Sequence, residues 1–221
     1  ALPILRGYPT NYLQVAMACA GYREKLGWEA DGMSRKIAEK LMESMNAFSS
    51  LGWMDENPPY GRFDRYSIMI ASELADSLYA VGVELPEQVR RNLRDSAEAM
   101  LALINEKGDG IAYGRSLSVH GDASGPEVLS TALAHGVLPP EKLQPALWYS
   151  IKSLERLIDF WYDQKIEAFN IWFDGRTTNT YRQKARILEV NLDMANHLLN
   201  TLHNFERAGA ADILPDYRYE Q

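Results

Sequence analysis

At 221 residues, 46% of them apolar, the chain is long enough to bury a sizeable core and too apolar to be disordered. Its net charge of −7, from 23 basic and 30 acidic residues, offers no field for phosphate neutralisation and argues against a nucleic-acid partner. The single cysteine, Cys19, excludes a disulfide framework and a cysteine-based metal site, and no apolar run is long enough to span a membrane.

The first ten residues, with Pro3, Gly7 and Pro9, read as an irregular lead-in, after which Thr10 or Asn11 caps a predicted helix to about Leu26. Leu13, Val15, Ala16, Met17, Ala18, Cys19 and Ala20 put small apolar groups on every side of it. It is therefore expected to be buried all round, with Cys19 a small core residue. Asp31 caps a second helix to about Phe48, whose stripe Met33, Ile37, Leu41, Met45, Phe48 opposes Arg35, Lys36, Glu39, Lys40 and Glu43, the pattern of a one-faced outer helix. An irregular stretch from Ser49 to Arg65 carries Trp53 and Tyr60. A third helix over about 66–81 follows the line Ile68, Ala71, Leu74, Ala75, Leu78, and a fourth, opened by Pro86, runs to about Asn105 on Val89, Leu93, Ala97, Met100, Leu101 and Ile104.

Between Gly108 and Gly125 the sequence GDGIAYGRSLSVHGDASG holds five glycines and no helical period. A connection of that length without its own periodicity is functional or disordered, and Ile111, Leu117 and Val119 argue for an ordered loop over a cleft. Pro126 opens a short, apolar, inner helix to about His135. Pro139 and Pro140 break the chain, and Pro145 opens a long helix carrying Leu147, Ile151, Leu154, Ile158 and Trp161. A further irregular stretch, Phe169 to Arg182, precedes a last helix from about Lys184 to Arg207 on Leu188, Leu192, Ala195, Leu198, Leu199, Leu202 and Phe205. Asn196, His197, Asn200 and Asn204 share one face of that helix, which reads as solvated.

No stretch alternates as a half-buried strand does, so the class is all-α. Helices that are apolar all round alternate with one-faced ones, which suggests an inner and an outer layer of helical hairpins. About seven or eight helices fit, too few for a closed barrel at ordinary helix lengths. The expectation is one all-α domain over 1–221, an incomplete (α/α) array. The chain begins at Ala1 without a basic-then-apolar leader, which points to processing or to a piece of something larger; a cytoplasmic location is expected, with periplasmic or secreted placement the alternative after processing.

The three irregular segments each lie between helices, and in a hairpin array equivalent connections gather at one rim. Trp53, Tyr60, Tyr113, Trp172 and Tyr181 supply flat faces suited to sugar rings, and Arg115, Arg176 and Arg182 supply bidentate partners for carboxylates. With Asp174 and Asn179 they form the expected substrate-binding set, and the mixture points to an acidic saccharide. His120 and Asp122, two apart on a loop, are short of a closed metal site, since His135, His197 and His203 fall in predicted helices. No phosphate loop, dinucleotide fingerprint or serine elbow occurs, so no metal or cofactor is expected.

The succession TNYLQVAMA, LGWMDE, FDRYSIMIA and DGIAYGRSLS, over about Thr10 to Ser118, resembles an uncharacterised family of bacterial and fungal proteins distantly like the helical-toroid polysaccharide lyases and unsaturated-glucuronyl hydrolases. The matching residues are Asn11, then Gly52 and Trp53, then Asp64, Arg65, Tyr66 and Ser67, then Tyr113, Gly114, Arg115 and Ser116. Two departures stand out: Arg65 where a Tyr is usual, and Val119, His120, Gly121, Asp122 in place of Tyr-Arg-Phe-Ala. The resemblance implies an (α/α) toroid with a carbohydrate-type cleft.

Three functions follow as expectations. The first is β-elimination on a uronate glycan, in which Arg115 or Asn179 neutralises the carboxylate, His120 is the base and Tyr66, Tyr113 or Tyr181 the acid. The second is glycoside hydrolysis by a carboxylate pair drawn from Asp64, Asp122, Asp174 and Glu56. The third is a binding or scaffold module without catalysis.

Overall fold

In the computed structural model, residues 10–48, 53, 64–114, 117–171, 181–210 and 212–213 are described, without the side chains of 10, 46–48 and 181–186. The all-α class holds: among these residues are seven α-helices and one hairpin of two-residue strands. The chain divides into two compact units, Ala1–Ser96 and Ala97–Gln221.

In the first unit α1 (Thr10–Lys25) packs on α2 (Met33–Phe48) and α3 (Arg65–Ala80). The stripes read from the sequence are buried: Ile37, Leu41 and Met45 on α2, and Ile68, Ala71, Leu74, Ala75 and Leu78 on α3. The start of α3 is set by Asp64, whose carboxylate accepts from the amides of Tyr66 (2.9 Å) and Ser67 (3.2 Å) while the Ser67 hydroxyl accepts from the Asp64 amide, a reciprocal cap on otherwise orphaned donors. For α2 the capping group is Glu24 of α1 rather than Asp31. Its carboxylate accepts from the Ser34 amide at 2.8 Å and the Ser34 hydroxyl at 2.6 Å.

The all-round burial expected of α1 is not found. Leu13, Gln14, Met17, Ala20 and Gly21 are buried, but Val15 is 53% exposed and Cys19 is also exposed, so Cys19 is not a core residue. Alanine and cysteine are small enough to stand on either surface, and their presence around a helix does not by itself require a second packing partner. The fourth helix, α4 (Glu87–Leu101), buries Val89, Leu93, Ala97 and Met100 and ends short of Asn105. Asn105 instead forms a turn, its side-chain oxygen accepting from the amides of Lys107 (3.0 Å) and Asp109 (3.3 Å).

The second unit is built on α5 (Val119–Ala134), which is buried at every position from Gly121 to Thr131. It begins seven residues before Pro126, inside the segment read as loop. Proline lacks the amide that would bond the carbonyl of Asp122 one turn back, and the Ser153 hydroxyl supplies that hydrogen bond at 2.8 Å. The glycines that suppress helix propensity are required by close approach. A Cβ at Gly121 would lie 2.5 Å from the Ile111 carbonyl oxygen, and one at Gly110 would lie 2.1 Å from that of Gly121.

A 3₁₀ turn (Pro140–Lys142) leads into α6 (Leu143–Arg156), which continues as a π-helical turn (Leu157–Trp161). A β1–β2 hairpin (Tyr162–Asp163 with Ala168–Phe169) follows, then the long α7 (Tyr181–Arg207). Tyr149 lies against Gly125 while Ser153 and Arg156 reach Asp122, so α6 runs antiparallel to α5. His120, Glu127 and Thr131 meet Asp193, Asn200 and Asn204 respectively, each pair 73 residues apart, so α7 runs parallel to α5.

Two outcomes test these assignments. The hydrogen bonds from Ser34 hold the Glu24 carboxyl below its ordinary value. A group with a lowered folded-state pKa stabilises above its unfolded value and ceases to do so as pH falls through the folded one. Glu24→Gln should therefore lower Tm at neutral pH, and the difference from wild type should close in acid; a difference constant from pH 7 to 3 would remove Glu24 as the cap. Gly110→Ala drives a methyl into backbone and should cost about 1–3 kcal/mol or more in urea unfolding.

Candidate functional site

The first turn of α5 carries His120 and Asp122 in opposite directions, because two residues advance a helix by about 200°. Asp122 points toward α6 and the preceding loop. Its carboxylate accepts from the Gly110 amide (2.8 Å), Arg156 Nε (2.9 Å) and Trp161 Nε1 (2.6 Å). The π turn is what aims the Trp161 indole at it. With the carboxylate so occupied, Asp122 is a joint between α5, α6 and the 108–111 segment, and it cannot share a ligand with His120.

His120 points toward α7. On α5 the residues His120, Ser124, Glu127 and Thr131 lie on one stripe, and on α7 Asp193, His197, Asn200 and Asn204 lie on another with the same spacing of 4, 3 and 4. The two stripes face each other. His120 Nδ1 is 2.6 Å from Asp193 Oδ2, and Asn200 Nδ2 donates to Glu127 Oε1 at 3.0 Å. His197 Nδ1 bonds Glu127 Oε2, and Asn204 Nδ2 donates to Thr131 Oγ1 at 3.0 Å. His197 Nε2 in turn lies 3.4 Å from Asp193 Oδ2, one helical turn back on the same helix. The face read from sequence as solvated is a buried polar seam: His197, Glu127 and Asn204 are each 1% exposed. Asparagine and histidine at helical spacing look the same in sequence whether water or a second polar stripe satisfies them.

Exposure rises toward one end of the seam, where the side chains of His120 and Asp193 are 17% and 36% accessible. Burial disfavours the Asp193 charge, but hydrogen bonds from His120 and His197 outweigh it and hold this carboxyl well below the usual range. For His197 burial likewise opposes protonation. The charge of Glu127 and hydrogen bonds to Asp193 and Glu127 override it, pushing the imidazole up to about 10. Beside the open end, Val119, Ala123, Leu157, Trp161, Val190 and Met194 form a buried apolar cluster that holds the three helical segments together. Ser118, two residues before His120, has φ 60° and ψ −137° without being glycine. Strain of this kind costs about 1–3 kcal/mol and collects at functional sites.

Among the described residues expected from sequence, His120 alone joins this seam. Asp64 is buried as the α3 cap, and Tyr66 is half-buried with the Arg65 guanidinium 5.4 Å from its ring centre. Trp53 is half-buried and Tyr113 exposed. Trp53, Asp64 and Tyr66 belong to the first unit; Tyr113, His120 and Asp122 belong to the second. Tyr60, Arg115, Trp172, Asp174, Arg176 and Asn179 lie outside the described residues, as do Glu56 and the side chains of Tyr181 and Arg182, whose backbone opens α7. Glu127, Asp193 and His197 were missed. The signal that could have found them is the repeated 4-3-4 polar spacing on α5 and α7, legible only with α5 extended back through Val119. As for metal, among the described residues the groups that can converge on an ion are His120, Asp193 and His197.

The chain matches no protein-family model, no curated protein and no solved structure. The local chemistry therefore carries the functional argument.

A double-mutant cycle measures the seam. Removing one partner of a buried ion pair leaves the other charge uncompensated and costs about 3–5 kcal/mol. Glu127→Leu and His197→Leu should each destabilise on that scale in urea unfolding, while the double variant should lose clearly less than their sum; additive losses would show that the pair is not coupled.

Proposed function

We propose that this protein is a carbohydrate-active enzyme that cleaves acidic, uronate-containing glycans by β-elimination, with its centre at the open end of the α5–α7 seam. One observation carries the reading: a single carboxylate, Asp193, is held between two imidazoles, with a fully buried second carboxylate, Glu127, behind them. Packing alone gives no reason to place four ionisable groups together, and strongly shifted pKa values cluster at functional sites.

Elimination removes the proton next to the uronate carboxylate, forms a carbon–carbon double bond and expels the glycosidic oxygen, which takes up a proton. The accessible edge of the cluster, His120 with Asp193, supplies the proton acceptor, and Asp193 fixes the orientation of the His120 ring. The parallel pair α5 and α7, with α6 returning antiparallel, is the kind of unit from which an (α/α) toroid is assembled, and it supports the array suggested by the resemblance. The hydrolase alternative is weakened among the described residues, because Asp64 and Asp122 are engaged in capping and in the α5–α6 joint.

The test is incubation with a panel of uronate and neutral glycans, following absorbance of an unsaturated product and, separately, new reducing ends. Uronate substrates should give both signals, and His120→Ala should lower turnover by about a hundred- to ten-thousand-fold with an unchanged helical spectrum. New reducing ends without unsaturated product would replace elimination by hydrolysis. No product from any glycan would leave binding or scaffolding as the function.

A further inference from the structure

We propose that His120 Nδ1, Asp193 Oδ2 and His197 Nε2 are three ligands of a mononuclear site for a divalent transition-metal ion of the zinc type. One ligand atom from each of the three residues lies within 4.8 Å of the other two. An ion bound at about 2.0–2.2 Å by imidazole nitrogen and carboxylate oxygen separates tetrahedral ligands by about 3.4 Å. Asp193 Oδ2 and His197 Nε2 already stand 3.4 Å apart. His120 Nδ1, at 2.6 Å from the same oxygen, would exchange its hydrogen bond for a bond to the ion as that separation opens by about 0.8 Å to the tetrahedral value.

The arrangement behind the ligands points the same way. His197 presents Nδ1 to Glu127, and Glu127 is in turn held by Asn200. A ligating histidine characteristically gives its other ring N–H to a carboxylate, which fixes the tautomer and raises the basicity of the ligating nitrogen. An ionised carboxylate only accepts. With Nδ1–H given to Glu127, the Nε2 facing Asp193 is therefore either a second N–H or a lone pair directed at an ion that the two residues share. An imidazolium would account for His197 alone. It gives no reason for His120 to converge on the same Asp193 oxygen from another helix.

Two imidazoles and one carboxylate suit zinc and its first-row neighbours and not magnesium or calcium, which take all-oxygen sets. Glu127 and Asp193 together balance the charge of a dication with both imidazoles neutral. Three protein ligands beside an accessible edge leave a position for water or substrate, the pattern of catalytic rather than structural sites. This inference stands apart from the glycan reading. If both hold, His120 would serve as a ligand, the ion could neutralise the uronate carboxylate, and hydroxide on the ion would replace His120 as the proton acceptor.

The experiment uses the full, tag-free chain, stripped with chelator and titrated with Zn²⁺ by calorimetry, with Co²⁺ as the spectroscopic probe. The expected result is one ion per chain, with visible ligand-field absorption from Co²⁺. His120→Ala and Asp193→Asn should weaken binding by about 100-fold or more. Glu127→Gln, which leaves the three ligand atoms in place and alters only the partner of His197 Nδ1, should weaken it about 10- to 100-fold with stoichiometry unchanged. Circular dichroism separates loss of binding from loss of fold, and His120→Ala, at the accessible end, is the variant least exposed to that ambiguity. Failure of the wild-type chain to bind either ion, or unchanged affinity in the His120→Ala, Asp193→Asn double variant, overturns the site. Elimination activity in chelator-treated protein without bound ion would overturn a catalytic part for the ion and leave the glycan reading standing.

Discussion

Burial of two carboxylates on one helix is the constraint on which the second unit depends. Asp122 is 6% exposed and Glu127 1%, on a helix enclosed along most of its length. An ionised carboxylate in such a place costs several kcal/mol unless it is paired and hydrogen-bonded. Asp122 is satisfied from one side by Arg156, Trp161 and the Gly110 amide; Glu127 is satisfied from another by His197 and Asn200. Each set of partners belongs to a different neighbour, so the two acids between them position α6, the 108–111 segment and α7 around α5. Apolar packing alone would permit these helices to slide, whereas charged pairs hold only at one register.

The α5–α7 contact shows how such a register becomes a site. Three pairs share a separation of 73 residues, so the helices are parallel and aligned turn for turn. Moving α7 by one turn would take His197 and Asn200 away from Glu127 and break the other pairings along the seam. The seam is closed where Asn204 meets Thr131 and opens where His120 meets Asp193. Its buried part holds the register, and its open part is the accessible edge on which the proposed chemistry rests. Glu127 acts on the open end only through His197, and for that reason the chemistry proposed there rests on a residue that no substrate would touch.

Local backbone features are consistent with this division. The α5 helix tolerates Gly121, Gly125 and Pro126 because each answers a neighbour: the Ile111 carbonyl, the Tyr149 ring, and the Ser153 hydroxyl that replaces the missing amide. Strain at Ser118 and the π turn at Leu157–Trp161 fall on either side of the same first turn of α5, one ahead of His120 and the other delivering Trp161 to Asp122. Such irregularities accompany functional sites in helical proteins because they aim side chains that a regular helix would misdirect.

Periodicity in the sequence was enough to establish the helical class and the core lines of α2, α3 and α4. Those features are local: a 3.6-residue apolar repeat reports burial of one face whatever lies opposite. The same reasoning overestimated the burial of α1, since small residues are neutral between surface and core, and it started α5 at Pro126, since the hydroxyl that stands in for the missing amide is on Ser153. It paired His120 with Asp122 because they are neighbours in the chain, although a helix turns them apart. It took His197, Asn200 and Asn204 as solvated because nothing local distinguishes a polar stripe facing water from one facing a matching stripe 73 residues away. Which polar groups meet was decided by the tertiary structure alone, because the buried partner that makes a histidine or carboxylate affordable is supplied by another helix.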